Sequence, residues 1–233
     1  MTADSASINL THHFLIAMPG LEDAAFAKSV VYVCEHSERG ALGLVINKPS
    51  ELSMQSLFEK VDLSLHREDL MNAPVLQGGP VHTERGFVLH DAMLVARPQT
   101  PESDDTTNAD PVAQEAQAEA QALSEVSTQG EDSDKESVYA STMTIPGGLE
   151  MTTSKDVLEA LAMGAGPKRV LISLGYSAWG EGQLESELAE NSWLTVGADT
   201  AVIFDTPIEE RYTRAMQLLG LEPWMLSNEV GHS

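Results

Sequence analysis

Residues 29–47 read SVVYVCEHSERGALGLVIN, two apolar, β-branched runs on either side of a short polar turn. Runs of this kind favour strands, because branched side chains fit the pleated surface of a sheet. The turn, residues 37–40, ends in a glycine, which tolerates the backbone angles of a tight reversal. The stretch therefore predicts a β-hairpin with strands at Ser29–Glu35 and Leu42–Asn47.

Outward from this hairpin, strands and helices follow without a strict β–α–β alternation. Hairpins dominate the front half, so the sequence predicts an α+β fold rather than a doubly wound sheet. Apolar runs predict further strands at Phe14–Ala17, Pro74–Gln77, Val170–Gly175, Trp193–Val196 and Ala201–Phe204. Helices are predicted after a capping Ser53, from Thr153 to a terminating Gly164, over 184–191, and from a capping box at Thr206-Pro207-Ile208-Glu209 to Gly220.

The segment 99–138 differs in composition from the rest of the chain. It carries 11 acidic residues and one basic residue, it has no aromatic side chain, and Leu123 is its only leucine or isoleucine. Low hydrophobicity with high net charge cannot offset chain entropy, so the segment is predicted to be a disordered loop insertion. An acidic tail that recruits a basic partner is the functional alternative. One domain is then predicted over residues 10–98 and 139–224, with flexible ends at 1–9 and 225–233.

The charge of the chain excludes some classes of function. With 36 acidic and 13 basic residues the formal net charge is −23, whereas nucleic acids and anionic membranes attract basic patches. No apolar run approaches the roughly 20 residues of a membrane-spanning helix, and the N-terminus lacks the pattern of a signal peptide. A single cysteine, Cys34, excludes an internal disulfide, so a reducing cytoplasm is the expected compartment.

Cys34-Glu35-His36 places a thiol, a carboxylate and an imidazole in sequence, which are the groups of an activated nucleophile. In a regular strand, however, residues 34 and 36 share one face with their Cβ atoms roughly 6–7 Å apart, and residue 35 points to the other face. We therefore expect a buried structural cysteine beside a strand-end histidine. A redox-sensitive thiol is the functional alternative.

Three other groups of residues are candidates for binding. Gly78-Gly79-Pro80 resembles a phosphate cradle, but it lacks the lysine and hydroxyl of a Walker loop and Pro80 has no N–H, so a structural turn is favoured. His82, His90 and Asp91 have no spacing that requires a metal ion, and no metal site is predicted. Residues 174–185, LGYSAWGEGQLE, are predicted to form a loop between a strand and a helix, serving either as a pocket wall or as a structural loop packed by Tyr176 and Trp179.

The chain also carries a series of multi-residue blocks in a fixed order. They are FLIAMP at 14–19, SVVYVCEH at 29–36, GALGLVINKP at 40–49, GGPV at 78–81, RGFVLH at 85–90, SKD at 154–156, GP at 166–167, LGY at 174–176 and GQLE at 182–185. In this order they resemble the AlgH/YqgE family over about residues 10–222, apart from the segment 99–138, which departs from the usual pattern.

The resemblance implies a bacterial cytoplasmic α+β protein with a branched, mixed or antiparallel β-sheet surrounded by helices. Proteins of this family are often described as transcriptional regulators, and the resemblance brings no catalytic residue set. Because the chain outside residues 99–138 still carries a net charge of −13, a regulatory role is expected to act through a protein partner rather than by direct contact with nucleic acid.

The leading functional hypothesis is therefore a non-enzymatic regulatory or binding module that acts through protein contacts, with no cofactor. The alternative is a small-molecule-binding protein or an unrecognised enzyme whose cleft is formed by the family blocks. That alternative requires the blocks to converge in space. The candidate residues are Cys34, Glu35, His36, Asn47, Lys48, Pro49, Gly78, Gly79, Pro80, Arg85, His90, Gly175, Tyr176, Trp179, Gln183 and Glu185.

Overall fold

The computed structural model describes residues 9–96 and 135–226, which form one domain. Its strands within these ranges are β1 (His13–Ala17), β2 (Val30–Ser37), β3 (Gly40–Val45), β4 (Pro49–Ser53), β5 (Pro74–Gln77), β6 (Val81–Asp91), β7 (Leu94–Ala96), β8 (Lys135–Ser137), β9 (Thr142–Ile145), β10 (Leu149–Thr152), β11 (Val170–Gly180) and β12 (Trp193–Gly197). The α-helices are α1 (Met54–Lys60), α2 (Lys155–Ala162), α3 (Gln183–Ala189), α4 (Thr200–Phe204) and α5 (Arg211–Leu218), and 3-10 turns lie at Ile208–Glu210 and Pro223–Leu226.

Ten of the strands form one branched sheet in the order β12-β1-β2-β3-β11-β6-β10-β9. The branch is at β11. Its first part pairs with β6 in antiparallel and with β5 in parallel orientation, and its last part pairs with β3. Strand β4 joins the sheet through β5. The α+β class and the branched sheet surrounded by helices, expected above, are therefore confirmed.

The β-hairpin predicted for residues 29–47 is also confirmed. Strands β2 and β3 pair in antiparallel register from Val31 opposite Val45 to Ser37 opposite Gly40. Alternate residues of β2 face opposite sides of the sheet, so that Tyr32 lies in one apolar cluster with Phe14 and Met216, and Val31 lies in another. A third cluster lies beneath α1 and α2. These three clusters make up the core. They hold the strands in place, and the candidate residues lie near the ends of those strands.

Two predictions of secondary-structure type were wrong. Residues 200–204, predicted as a strand, form α4, because the Asp199 side chain caps this short apolar run by accepting from the Ala201 N–H. Residues 176–180, predicted as a loop, continue strand β11. Gly175, predicted as the end of the strand, has a φ of +73° and sits at a register shift in the pairing of β11 with β6, so it marks an irregularity inside the strand rather than its end.

The helix ends follow their capping residues in most cases. Ser53 caps α1 by accepting from the Ser56 N–H, and Gly164 and Gly220 follow α2 and α5 with positive φ angles. The prediction of a capping box at Thr206 was wrong. The Thr206 hydroxyl donates to the Ala201 carbonyl instead, and a 3-10 turn precedes α5. No helix of the described residues is both long and apolar enough to cross a membrane.

Most of the acidic segment 99–138 lies outside the described residues, so its predicted disorder stays a prediction. Its last part is described. Residues 135–137 form β8, which pairs with β7 just before the undescribed stretch. The paired part of the chain thus begins four residues before the boundary expected from composition, because the pairing of β8 with β7 leaves no mark on the local composition.

Candidate functional site

The orientation of Cys34, Glu35 and His36 differs from the prediction because β2 contains a bulge. The pairing of β2 with β3 shifts register at Cys34, so that Glu35 lies opposite Leu42 and His36 lies opposite Ala41. Leu42 shares an apolar cluster with Cys34, and Ala41 belongs to the cluster on the other side of the sheet. Cys34 and Glu35 thus share a face and His36 points to the opposite one, which rules out the regular alternation assumed from sequence.

Cys34 is buried, and its thiol is not set up to react. Only 2% of the residue is exposed, and burial, followed by the nearby Glu35 carboxylate, raises the pKa of the thiol well above its usual range. Because the thiolate is the reactive form, this environment suppresses nucleophilic and redox chemistry. The geometry supports the structural interpretation of Cys34.

His36 links three segments of the chain at the turn end of the hairpin. Its Nδ1 accepts from the Leu10 N–H at 3.0 Å, so its Nε2 carries the proton and donates to Glu185 Oε1 at 2.9 Å. The ring is buried, whereas the Glu185 side chain is 54% exposed. The structure thus brings together two predicted residues, His36 and Glu185, in a contact that also anchors the chain before β1.

Beside this contact lies a group we call the indole–carboxylate cluster, formed by Phe26, Trp179, Glu187 and Trp193. The three aromatic rings pack with centroids 5.4 to 6.0 Å apart. Glu187 Oε2 accepts from the indole N–H of Trp179 at 2.9 Å and from that of Trp193 at 2.8 Å. Gln183 donates to the other carboxylate oxygen at 3.0 Å. The predicted residues Trp179 and Gln183 therefore serve an internal network.

Glu187 was not among the predicted residues. A signal was present, because Gln183 and Glu187 are four residues apart on one helix and must share a face. The many acidic residues of the chain concealed it.

Gly78 and Gly79 form a close crossing over β11. A Cβ atom on Gly78 would lie 2.2 Å from the Gly175 carbonyl oxygen, and one on Gly79 would lie 2.3 Å from the Tyr176 carbonyl oxygen. The absence of side chains is therefore required for the backbones to approach. Pro80, at the exposed end of the turn, leads the chain into β6.

The backbone N–H and carbonyl of Gly78 are engaged inside the protein. The Gly78 N–H donates to the Leu174 carbonyl, and the Gly78 carbonyl accepts from the Val45 N–H and from the Ser177 hydroxyl. Tyr176 stacks on the His82 ring with centroids 5.8 Å apart. The arrangement supports the structural turn favoured from sequence over a phosphate cradle.

Asn47 and Lys48, after β3, hold the neighbouring loop. The Asn47 side chain accepts from the Val30 N–H and donates to the Lys28 carbonyl, both at 2.8 Å. Lys48 Nζ donates to the Ala25 carbonyl at 2.7 Å, and burial lowers the pKa of this ammonium. Both side chains therefore have structural partners.

His90 lies apart from the other candidates, beneath α2. It is fully buried on β6, its Nδ1 bonds the Asp91 carbonyl at 2.8 Å, and its Nε2 has no hydrogen-bond partner among the described residues. Its ring meets the Tyr139 ring edge to face, and the buried Glu150 lies opposite it on β10. Arg85 occupies the same strand, half-buried.

His82 and His90 cannot meet as metal ligands. His82 stacks on Tyr176 and His90 lies opposite Val170, six residues away along β11, which places the two histidines about 20 Å apart. Within residues 9–96 and 135–226, no group of three or more His, Cys, Asp or Glu side chains is arranged to hold a metal ion.

A surface concavity of about 710 Å³, which we call the proline-lined groove, lies beyond the Val45 end of β3. It is lined by Asn47, Pro49, Pro74, residues 204–209 and Arg211. Of the predicted residues, only Asn47 and Pro49 take part. The groove combines half-buried apolar side chains, Phe204 and Ile208, with exposed carboxylates.

Arg211 is the functional candidate that the sequence analysis missed. It is 7% exposed, and its Nε and Nη1 donate to the carbonyls of Thr206 and Ile46. Burial lowers the pKa of its guanidinium to about 10, so it stays charged at neutral pH. The signal was its position three residues after Ile208 and four before Ala215, which puts a charge on the buried face of the helix.

The candidate residues therefore do not share one cleft. His36, Trp179, Gln183 and Glu185 lie at the Gly40 end of β3, whereas Asn47 and Gly78 lie at its Val45 end, about 17 Å away for a strand of this length. His90 lies in a third place, and Cys34 is inside the core.

The AlgH-like family profile (DUF179) matches residues 14–224. The chain belongs to the AlgH-like family. Among its relatives, the UPF0301 protein of Acidovorax sp. (strain JS42) is 66% identical over 233 residues, and that of Paracidovorax citrulli is 67% identical over 234, each alignment covering 100% of both chains.

Solved structures agree with this membership. The solution structure of the AlgH protein from Pseudomonas aeruginosa is 39% identical, covers 98% of each chain and superposes with a TM-score of 0.64. A crystal structure of a Corynebacterium diphtheriae protein, 15% identical with a TM-score of 0.59, covers 94% of this chain and 92% of that one and shares the fold. The fold of this AlgH-family chain is thus shared with a structure of only 15% sequence identity.

Proposed function

We propose that this AlgH-family protein is a non-enzymatic binding module that acts through protein contacts, and that the proline-lined groove is its docking surface. The observation that carries the proposal is the groove itself. It is an open concavity of about 710 Å³ with apolar walls, a form that suits an extended segment of another chain.

The charge of the protein around the groove indicates which kind of partner segment would bind there. The described residues include 24 acidic and 12 basic side chains. On the groove itself, the exposed carboxylate of Glu209 has no ion-pair partner among the described residues, whereas that of Asp205 lies 3.8 Å from Arg169 Nη1. Such a field attracts cations and repels anionic polymers. The proposed partner segment is therefore extended, partly apolar and basic, and any regulatory effect on transcription follows from this contact rather than from binding to DNA.

We also propose that the protein works in the cytoplasm. Its one cysteine is a free, buried thiol, as expected for a chain that folds without disulfides in a reducing compartment. The alternative hypothesis, a small-molecule site built from the family blocks, loses support because those blocks lie apart. The acidic segment 99–138 is a second proposed contact for a basic partner, and deletion of residues 99–134, which spares β8, is expected to leave the domain folded.

A peptide selection tests the docking surface. The immobilised full chain is presented with random peptides displayed either as internal segments or with free carboxyl ends, and the affinities of winning peptides are measured by fluorescence anisotropy. We expect winners with basic and apolar residues. Glu209→Lys should weaken their binding about fivefold or more, since it reverses a charge on the groove.

Glu210→Lys is the matched control, because Glu210 is the exposed neighbour on the same 3-10 turn and does not line the groove. It should change the affinity less than about twofold. Selection of no peptide from either display, or an equal loss in both variants, would overturn the proposal.

A further inference from the structure

The guanidinium of Arg211 is buried without a counter-ion. Arg211 lies at the start of α5 with 7% of its surface exposed, and none of the described acidic residues forms an ion pair with it. Glu209 is near enough to favour its charged form but does not contact it. Buried charges in proteins are normally paired, because an uncompensated one loses its hydration without replacement.

Two of its nitrogens are engaged and one is not. Nε donates to the Thr206 carbonyl at 3.1 Å and Nη1 donates to the Ile46 carbonyl, whereas Nη2 donates to no atom of the described residues. Nη2 is not one of the fully buried polar atoms that lack a partner, so part of its surface is exposed to solvent. The two carbonyls fix the plane of the guanidinium and leave its remaining donors ready for an external acceptor.

The surroundings strengthen such a contact. Arg211 lines the proline-lined groove next to the half-buried side chains of Phe204 and Ile208. Apolar walls lower the local dielectric, so a charge-assisted hydrogen bond formed there is stronger than one at an open surface.

We propose that Arg211 binds the terminal carboxylate of a partner polypeptide, whose last residues lie in the groove. This inference rests on the proposed function and names the chemistry of the partner. The carboxylate receives the free Nη2 donor, and the last side chain packs on Ile208 and on the part of Phe204 that Arg169 leaves uncovered. Basic residues upstream face Glu209, because Asp205 already has Arg169 at 3.8 Å.

Two features select this ligand. A carboxylate carries a single negative charge that one guanidinium neutralises, whereas a phosphate dianion would keep excess charge beside Glu209. Because so little of Arg211 is exposed, the anion has to reach it end-on, and the end of a chain can do this more readily than a side chain of a continuous segment.

The first test changes only the ligand. Winning peptides from the free-carboxyl display are synthesised with a terminal carboxylate and with a terminal amide, and both forms are titrated by fluorescence anisotropy. The amide should bind about tenfold more weakly or worse, since it loses a charge-assisted bond to a buried donor. Equal affinity of the two forms, or equal binding of end-blocked peptides with an internal Asp or Glu, would overturn the inference.

The outcomes separate this inference from the proposed function. If amidation has no effect while Glu209→Lys still weakens binding, the groove is a docking surface without terminal recognition. If no peptide binds, the proposed function itself fails.

The second test changes Arg211 and includes a check on folding. Arg211→Lys keeps the positive charge but cannot hold both carbonyls and a ligand in one plane. Given an unchanged circular dichroism spectrum, it should weaken the free-carboxylate peptide about tenfold and leave the affinity of the amide unchanged. A parallel loss for both peptides would indicate a structural role for Arg211 and contradict carboxylate recognition.

Discussion

The two ends of strand β3 use polar residues in opposite ways. At the Gly40 end, Glu187 accepts from two buried indoles and His36 is bonded on both ring nitrogens, so each strongly polar group has an internal partner. At the Val45 end, Arg211 keeps an accessible donor beside an open groove.

The difference shows that the types of residue gathered in a region do not tell whether their polar groups are free to bind a ligand. The Gly40 end gathers tryptophans, a histidine and carboxylates, which are common in functional sites, yet these groups hold the sheet, α3 and the preceding chain together. The Val45 end contains few such residues but leaves a buried charge unpaired. The Val45 end is therefore the better candidate for binding, because Arg211 still has a hydrogen-bond donor to offer.

The largest expected effect tests how tightly the Gly40 end is closed. Gly40 has a φ of +130°, and a Cβ atom there would lie 2.1 Å from the Trp179 carbonyl oxygen. Gly40→Ala should lower the free energy of unfolding by about 3 kcal/mol or more, measured by urea denaturation.

Gly20→Ala is its control, because a Cβ atom at Gly20 would have no atom within 4 Å. It should change stability by less than about 1 kcal/mol. Similar stabilities for the two variants would show that the hairpin end is not closely packed.

The next effect tests the shared acceptor of the indole–carboxylate cluster. Glu187→Ala leaves two buried indole N–H groups without a partner and should cost about 2–4 kcal/mol in urea denaturation. Glu190→Ala, at an exposed position just after the same helix, should cost less than about 0.5 kcal/mol. A loss equal to that of Glu190→Ala would mean that water replaces the carboxylate and that this end is open.

At the Val45 end, Asn47 is expected to act on stability through its two backbone contacts. Asn47→Ala removes the bonds to Val30 and Lys28 and should lower the unfolding free energy by about 1–2 kcal/mol. The exposed Asn72→Ala serves as the comparison and should have almost no effect. Unchanged denaturation of the Asn47 variant would contradict a structural role for this residue.

The smallest effect concerns a carboxylate of the hairpin. Burial raises the pKa of Glu35, an effect only partly offset by Arg39. The folded state then holds its proton to higher pH than the unfolded state, so stability falls as pH rises from the usual glutamate value through the raised one. Glu35→Gln should therefore stabilise the protein at neutral pH, by no more than about 1 kcal/mol after solvent screening.

This gain should vanish about one pH unit below the usual glutamate pKa, where the wild-type side chain is protonated in both states. Urea denaturation at the two pH values measures it, with the exposed Glu38→Gln as control. A gain that persists at the lower pH would show that removal of charge is not its cause.

Much of the local structure could be predicted from the sequence where one signal dominated. The β-branched runs around Ser37–Gly40 gave the hairpin, and Ser53, Gly164 and Gly220 gave helix ends, because these depend on nearby residues alone. The predictions failed at 176–180 and 200–204, where strand pairing and a capping aspartate overrode the local pattern.

The candidate site was harder to predict. The bulge at Cys34, which turns His36 towards Glu185, depends on pairing with β3, and no local pattern encodes it. Arg211 is separated by 165 residues from Ile46, whose carbonyl it binds, so its burial could be suspected from helix periodicity but its free donor could not.

By itself, the sequence determined the α+β class, the central hairpin, the acidic character of the chain and membership of a known family, because these follow from composition and short-range patterns. The tertiary structure alone decided which polar groups are satisfied and which remain available. Hydrogen bonding in a folded core is settled between residues far apart in the chain, and at β3 it closed one end and left Arg211 open to a ligand at the other.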